Sequence, residues 1–279
     1  MKILEACRWA EENLRELEFP RLEADLLMCH LMHWERRDIY LKHANEISES
    51  SLEQYKKMVI RRKNREPLQY ITGEVDFLGR SFITGKGALI ARPETEFLTE
   101  QFIKELVSPE YILDVGTGSG VIAASLALEF PDAAVIATDI SRDALAVSRK
   151  NKELFALDNL IFLRADLLRA FRQNSGVFDG VIANLPYIPS CQIRNLEPEV
   201  REGDPRVALD GGADGLDLVS LLIGSLPGIL KRDGVLALEL DSMQVGTISE
   251  LLKNNPRWKE VIPLLDLTGR SRIIIARAT

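Results

Sequence analysis

Ile112-Leu113-Asp114-Val115-Gly116-Thr117-Gly118-Ser119-Gly120 decides how this chain folds. An apolar run stops in three glycines, and residues 121–128 then read as a helix. That order predicts a strand, a tight turn and a helix start. Lacking Cβ, the glycines let the backbone turn sharply and approach a ligand. The ligand then sits over a helix N-terminus, at the carboxyl ends of parallel strands. The spacing is Gly-x-Gly-x-Gly. A dinucleotide fingerprint is Gly-x-Gly-x-x-Gly, and Val121 stands at its third glycine position. S-adenosylmethionine, which has no pyrophosphate, suits this spacing better. Alone, the loop also fits a structural turn in any α/β domain.

Outward from the loop, strands and helices alternate, which predicts a mainly parallel sheet. Strands are expected at 111–115, 134–138, 160–163, 181–183 and 235–240. Helices are expected at 216–230 and 244–252, and a closing strand pair at 261–265 and 272–276. The polar stretch 188–214 contains Pro189, Pro198 and Pro205 and has little periodicity. A loop of that length is usually functional or mobile.

Upstream, residues 3–65 read as a helical bundle. Leu4, Cys7, Leu14 and Leu17 fall near one face, and Leu22, Leu26, Leu27 and Met28 continue the pattern after Pro20, a first-turn proline. A third helix starts near Ser48 or Ser50 and ends in Lys56, Lys57, Arg61, Arg62, Lys63 and Arg65. Those cations either match the helix dipole or form a partner-binding patch. Pro67 ends the helix, and alternation across 68–83 around Gly73 and Gly79 suggests a hairpin. Pro93 then opens a helix with Glu94 and Glu96 in its first turn, and Phe97, Phe102, Ile103 and Leu106 mark its apolar positions. The expected organisation is a helical substrate-recognition domain over 1–66, a hairpin linker over 67–90 and a catalytic domain over 91–279.

The chain has 279 residues, enough for two domains with ample core. No apolar run is long enough to span a bilayer, and the acidic N-terminal residues do not resemble a signal peptide. Cys7, Cys29 and Cys191 form no Cys-x-x-Cys pair, which leads to the expectation of reduced thiols in a cytoplasmic protein. His30, His33 and His43 with Cys29 lack a second ligand group at suitable spacing, so no metal is expected. Residues 1–70 hold 13 basic and 13 acidic side chains, so the remainder carries the whole net charge of −7. An acidic catalytic half argues against direct nucleic-acid binding through phosphates.

Strand ends supply the chemistry. Asp139 lies 19 residues past Gly120, where it can accept from both ribose hydroxyls of an adenosine; the competing reading is a helix cap. Asp166 can accept from an adenine amino group, and Leu167 can pack on the ring. Asn184-Leu185-Pro186-Tyr187 ends the fourth strand. An amide there can accept from an N–H and orient a planar nitrogen, the carbonyl of Leu185 can accept a second N–H, and Tyr187 offers a ring for stacking. The set suits methylation of a poorly nucleophilic nitrogen by positioning. The plain alternative is a turn after a strand.

These motifs resemble class I S-adenosylmethionine-dependent methyltransferases with an (Asn/Asp)-Pro-Pro-Tyr motif, a Rossmann-like α/β fold with a mainly parallel seven-stranded sheet. Within them the chain resembles the PrmC/HemK family, protein-(glutamine-N5) methyltransferases of peptide-chain release factors. The resemblance rests on the bundle, Gln69-Tyr70-Ile71-Thr72-Gly73, Arg92-Pro93-Glu94-Thr95-Glu96, the glycine loop and Asn184 to Tyr187. It extends to Glu199-Val200-Arg201, Pro205-Arg206-Val207-Ala208-Leu209-Asp210-Gly211-Gly212 and Asp214-Gly215-Leu216-Asp217. It implies transfer of a methyl group to the glutamine of a Gly-Gly-Gln motif in class 1 release factors, with S-adenosylhomocysteine as co-product. It implies cofactor contacts from Gly116, Thr117, Gly118, Ser119, Gly120, Asp139, Asp166, Leu167 and Asn184, and catalytic and substrate contacts from Asn184, Leu185, Pro186 and Tyr187. The chain departs from the family at Leu185, where the family has proline. A nucleic-acid amine methyltransferase and a non-catalytic cofactor-binding adaptor are the alternatives.

Overall fold

The computed structural model describes residues 1–172, 175–266 and 268–279. It divides into two compact units, Met1–Glu74 with Glu197–Gly203, and Val75–Leu196 with Asp204–Thr279.

The first unit contains α1 (Ile3–Asn13), α2 (Pro20–Met32), α3 (Arg36–Leu41), α4 (Glu49–Lys63) and α5 (Leu68–Thr72). In α1 the buried face is Ile3, Ala6, Cys7 and Ala10, the helical spacing, and Leu14 and Leu17 extend it. Leu4, expected on that face, is only half-buried, as are Leu22 and Leu26 in α2. Pro20 opens α2 and Ser48 caps α4, accepting from the Ser51 N–H at 3.1 Å. The short α3 has a single buried residue, Ile39, too little for a periodic signal.

The basic end of α4 is bound within its own unit. Arg62 is buried and donates to Glu23 at 2.7 and 2.9 Å and to Glu199 at 3.2 Å. Arg65 reaches Glu199 at 3.1 Å, and Arg61 donates twice to Glu66 at 2.8 Å. Arg62 and Arg65 fasten the unit, while Lys57, Arg61 and Lys63 at the same end are exposed. Residues 68–72 are a helix, not the start of the expected hairpin. Leu68 and Ile71 pack into the bundle core, and Gly73 ends the helix in the left-handed region, φ 78°. The hairpin itself is β1 (Glu74–Phe77) and β2 (Arg80–Ile83).

The second unit continues with α6 (Pro93–Glu105), β3 (Tyr111–Val115), α7 (Val121–Glu129), β4 (Ala134–Asp139), α8 (Arg142–Leu154), β5 (Leu160–Arg164) and β6 (Phe178–Ala183). It ends with α9 (Asp217–Ser225), β7 (Leu230–Glu239), α10 (Val245–Lys253), β8 (Trp258–Leu265) and β9 (Ser271–Ala278). In α6, Leu98 and Phe102 are the buried apolar positions, while Phe97 and Ile103 are half-buried. Strand β7 begins five residues before its expected start, because the polar run after Leu230 hides its first half.

The seven strands lie in the order β5-β4-β3-β6-β7-β9-β8. All neighbours from β5 to β7 are parallel, and β9 runs antiparallel to β7 and β8. The central strands are covered on both faces, so Ile112, Leu113, Val181, Ile182, Leu236 and Leu238 are all buried. The chain leaves β3 toward β4 and β5, then returns to the other side of β3 as β6. That reversal opens a crevice at the carboxyl ends of β3 and β6, where Val115 is in register with Ala183. The glycine loop follows one strand and Asn184 the other. No described helix is long and apolar enough to cross a membrane.

Candidate active site

One wall of the crevice is main chain. The N–H groups of Gly116 and Thr117 both donate to the Thr138 carbonyl at 2.9 Å, and the Thr117 hydroxyl donates to Asp114 Oδ2 at 2.6 Å. Gly120 has φ 81°, and a Cβ there would lie 2.6 Å from Ser148 Cβ. Only glycine lets α8 pack this close to the loop. Asn151, from α8, donates to the Ser119 carbonyl at 2.9 Å and bonds both main-chain groups of Ile83 at 2.7 and 2.8 Å. Thr117 and Ser119 are therefore buried in the protein, and Gly116 and Gly118 are the loop residues that line the pocket.

Asp139 ends β4. Its Oδ2 accepts from Gly118 N–H at 2.9 Å and its Oδ1 from Ser141 N–H at 2.8 Å. Ser141 is the cap of α8, accepting from Ala144 N–H at 3.2 Å, so Asp139 is not needed as a cap. Burial pushes both acids of this wall upward, Asp114 to about 7, with the charge of Asp139 adding to the shift. Asp114 is 1% exposed, lies behind the pocket lining, and takes a main-chain bond from Ala123 beside that of the Thr117 hydroxyl.

The pocket is a cleft within the second unit. Asp139, Asp166, Leu167, Asn184, Leu185 and Pro186 line it beside Gly116 and Gly118. Asp166 also pairs with Arg169 at 2.6 Å, and Leu167 takes a left-handed conformation, φ 47°. Gly87, Ala88, Ile140, Val207, Ala208 and Leu218 complete much of the wall. Val207 and Ala208 belong to the Pro205–Gly212 segment but carried no expected contact, and the others are isolated small or apolar residues that leave no pattern of their own. The apolar lining and the carboxylates fit a cationic nucleoside such as S-adenosylmethionine.

The opposite wall is made of side chains. Asn184 follows β6, and its Nδ2 donates to Thr95 Oγ1 at 3.0 Å. The Thr95 hydroxyl donates to Glu239 Oε2 at 2.7 Å, and the Tyr187 hydroxyl donates to Glu239 Oε1 at 3.3 Å. Thr95 sits in the first turn of α6, so the Arg92-Pro93-Glu94-Thr95-Glu96 segment delivers an anchor for Asn184. Glu239, at the end of β7, is 2% exposed, and burial pushes its carboxyl up to about 7. Burial also raises the Tyr187 phenol, with the Glu239 charge adding to it. Tyr187 is thus turned to Glu239 and lies outside the pocket lining.

Main chain completes this wall. Gln244 Nε2 donates to the Tyr187 carbonyl at 2.8 Å and to the Asp214 carbonyl at 3.1 Å. Residues 209–212 run along 186–190, with Ile188 N–H donating to Leu209 at 3.1 Å and Gly211 N–H donating back to Ile188 at 2.9 Å. A Cβ on Gly211 would lie 2.6 Å from the Pro186 carbonyl oxygen, which explains the first glycine of the Ala-Leu-Asp-Gly-Gly segment. Thr95, Glu239 and Gln244 were not foreseen as site residues. Thr95 stood in a quoted motif, but nothing in the sequence joined it to Asn184.

Sheet order, glycine loop and pocket define a class I S-adenosylmethionine-dependent methyltransferase. Residues 92–195 match the methyltransferase small domain, and residues 5–73 match the PrmC N-terminal domain. The release factor glutamine methyltransferase of Deinococcus radiodurans is 38% identical, over 92% of this chain and 91% of its own. That of Nitratidesulfovibrio vulgaris is 36% identical over 97% and 93%, and that of Bacillus cereus 30% over 99% of each. The chain belongs to the release factor glutamine methyltransferase family.

Proposed function

We infer that this chain methylates the side-chain nitrogen, N5, of the glutamine in the Gly-Gly-Gln motif of a class 1 peptide-chain release factor. The observation that carries the reading is the Asn184 amide, held by its nitrogen and lining the pocket. Its oxygen is then left to accept an N–H from a substrate amide. The relatives named above support the choice of substrate. Reduced thiols, which the three free cysteines require, suit the cytoplasm as the proposed compartment.

Gly116, Gly118, Asp139, Asp166 and Leu167 are the proposed cofactor contacts. Thr117, Ser119 and Gly120 serve by holding the loop. Bound S-adenosylmethionine supplies an electrophilic methyl group on a sulfonium that becomes neutral as the methyl leaves. Asn184 Oδ1 and the Leu185 carbonyl accept the two N–H groups of the substrate amide and fix its plane. One hydrogen of that nitrogen leaves as a proton, so the product keeps a single N–H. Positioning supplies most of the acceleration, because an amide nitrogen is a weak nucleophile at any other angle. The test is incubation with a whole release factor and labelled cofactor, then mass spectrometry of the Gly-Gly-Gln peptide. Label on that glutamine is expected; label elsewhere, or none, sinks the reading.

A further inference from the structure

We propose that Thr95 and Glu239 are positioning residues that fix which end of the Asn184 amide faces the substrate, and that they thereby select a side-chain amide over a carboxylate. This rests on the reading of the site given above. Thr95 Oγ1 has a single proton and touches two groups, Glu239 Oε2 at 2.7 Å and Asn184 at 3.0 Å. An ionised carboxylate only accepts, so the threonine proton goes to Glu239. Thr95 can then only accept from Asn184, and Asn184 must turn its NH2 inward. Its Oδ1 faces outward as an acceptor. Glutamine offers two N–H donors to that acceptor. Glutamate offers none and is repelled.

The same chain of bonds makes the selection depend on one proton. Protonated Glu239 can donate to Thr95. The threonine hydroxyl is then free to donate to Asn184, whose amide can turn over and present NH2 to the substrate. Around Glu239, Glu94 on α6 pushes its carboxyl up and Arg272 on β9 holds it down. Arg272 is shared with Asp266 at 3.2 Å and lies 4.0 Å from Asp241, and the Tyr187 hydroxyl faces the other carboxylate oxygen. With a carboxyl brought to about 7 by burial, the acceptor orientation is held above neutral pH and loosens as pH falls below it.

The experiment uses the whole chain, a full-length release factor, and the same factor with glutamate at the acceptor position as a competitor that cannot be methylated. Wild type should methylate glutamine, bind the glutamate competitor poorly, and lose kcat/KM as pH falls from 8 to 6. Thr95→Val should lose at least about tenfold in kcat/KM, with the ratio of glutamine to glutamate binding compressed by a similar factor. Thr95→Ser keeps the hydroxyl and should stay within about threefold of wild type. Glu239→Gln can still accept from Thr95 but does not titrate, so the acidic limb of the pH profile should flatten. Calorimetry should show unchanged cofactor affinity in each variant, which separates positioning from misfolding. Should Thr95→Val disturb folding, Thr95→Ser and the Glu239→Gln profile still decide. A Thr95→Val enzyme with wild-type kcat/KM and discrimination, or a Glu239→Gln enzyme with the wild-type acidic limb, overturns the proposal. Absence of glutamine methylation by wild type overturns instead the reading on which it rests.

Discussion

One wall of the pocket is held by backbone bonds, and the other, the Asn184 motif, is held from behind by side-chain bonds. On the glycine-loop wall, the N–H groups of Gly116, Thr117 and Gly118 make the bonds that shape the turn. On the Asn184 wall, the bonds run among Thr95, Glu239, Tyr187 and Gln244, which come from α6, β7 and the segments after β6 and β7. The backbone wall is constrained by space: what it cannot accept is a Cβ at a close contact. The side-chain wall is constrained by polarity: what it cannot accept is a lost donor or acceptor. Substitutions should therefore divide into those that damage folding or cofactor binding and those that damage turnover alone.

The largest expected effect is on the side-chain wall. Asn184→Ala should reduce turnover by roughly 100-fold or more, as when a group acting in the transition state is removed. Cofactor affinity, measured by calorimetry, should hardly change. A mutant with normal turnover, or one that loses cofactor instead, would break the division between the walls.

Gly120→Ala is the matching test of the backbone wall. The new methyl would meet Ser148 Cβ, and the residue would keep a left-handed conformation. Left-handed strain of ~1–2 kcal/mol and overpacking of ~1–3 kcal/mol together predict a stability loss of about 2–5 kcal/mol in denaturant unfolding. Gly118→Ala meets nothing within 4 Å and should lose only the strain, ~1–2 kcal/mol. Equal losses at the two positions would show that space is not what selects glycine here.

Asp139→Ala removes a carboxylate that holds Gly118 and Ser141 and is proposed to take the ribose hydroxyls. Cofactor binding should weaken by about 1.5–3 kcal/mol, the scale of a hydrogen bond to a charged group. An unchanged dissociation constant would leave Asp139 a loop fastener only.

The two walls also differ in how far they could be read in advance. The loop, its strand and Asp139 were legible because backbone chemistry leaves glycines at fixed spacing and parallel strands leave apolar runs. Asn184 was legible from its place after a strand. Its partners were not, since a contact between residues 95, 184 and 239 exists only once β6 and β7 lie side by side and α6 packs on the sheet. The same holds for Gly87, Ala88 and Val207, which reach the pocket through loops. In the helical unit, Arg62 and Arg65 looked like free charge because their partner Glu199 is 137 and 134 residues away.

Leu185 belongs to both walls and gives the smallest and sharpest test. Its position in the motif is that of a family proline, and proline would restrict Asn184 toward extended conformations. On that ground alone Leu185→Pro should gain about 0.4–1 kcal/mol. The structure adds a second term. Leu185 is 4% exposed, lies in the core with Val219 and Leu222, and sends Cδ2 to within 2.8 Å of where a Gly116 Cβ would stand. The leucine thus packs the acceptor motif against the cofactor loop. Losing one or two well-packed methyl groups costs about 0.8–1.6 kcal/mol, at about 0.8 per buried carbon. The packing term is the larger, so Leu185→Pro should lower stability by about 1 kcal/mol or less and weaken cofactor binding slightly, without raising kcat. Thermal unfolding, calorimetry and steady-state kinetics on one release factor read all three. A rise in kcat with unchanged cofactor affinity would mean that the freedom of Asn184, and not the fit of Leu185, limits this enzyme.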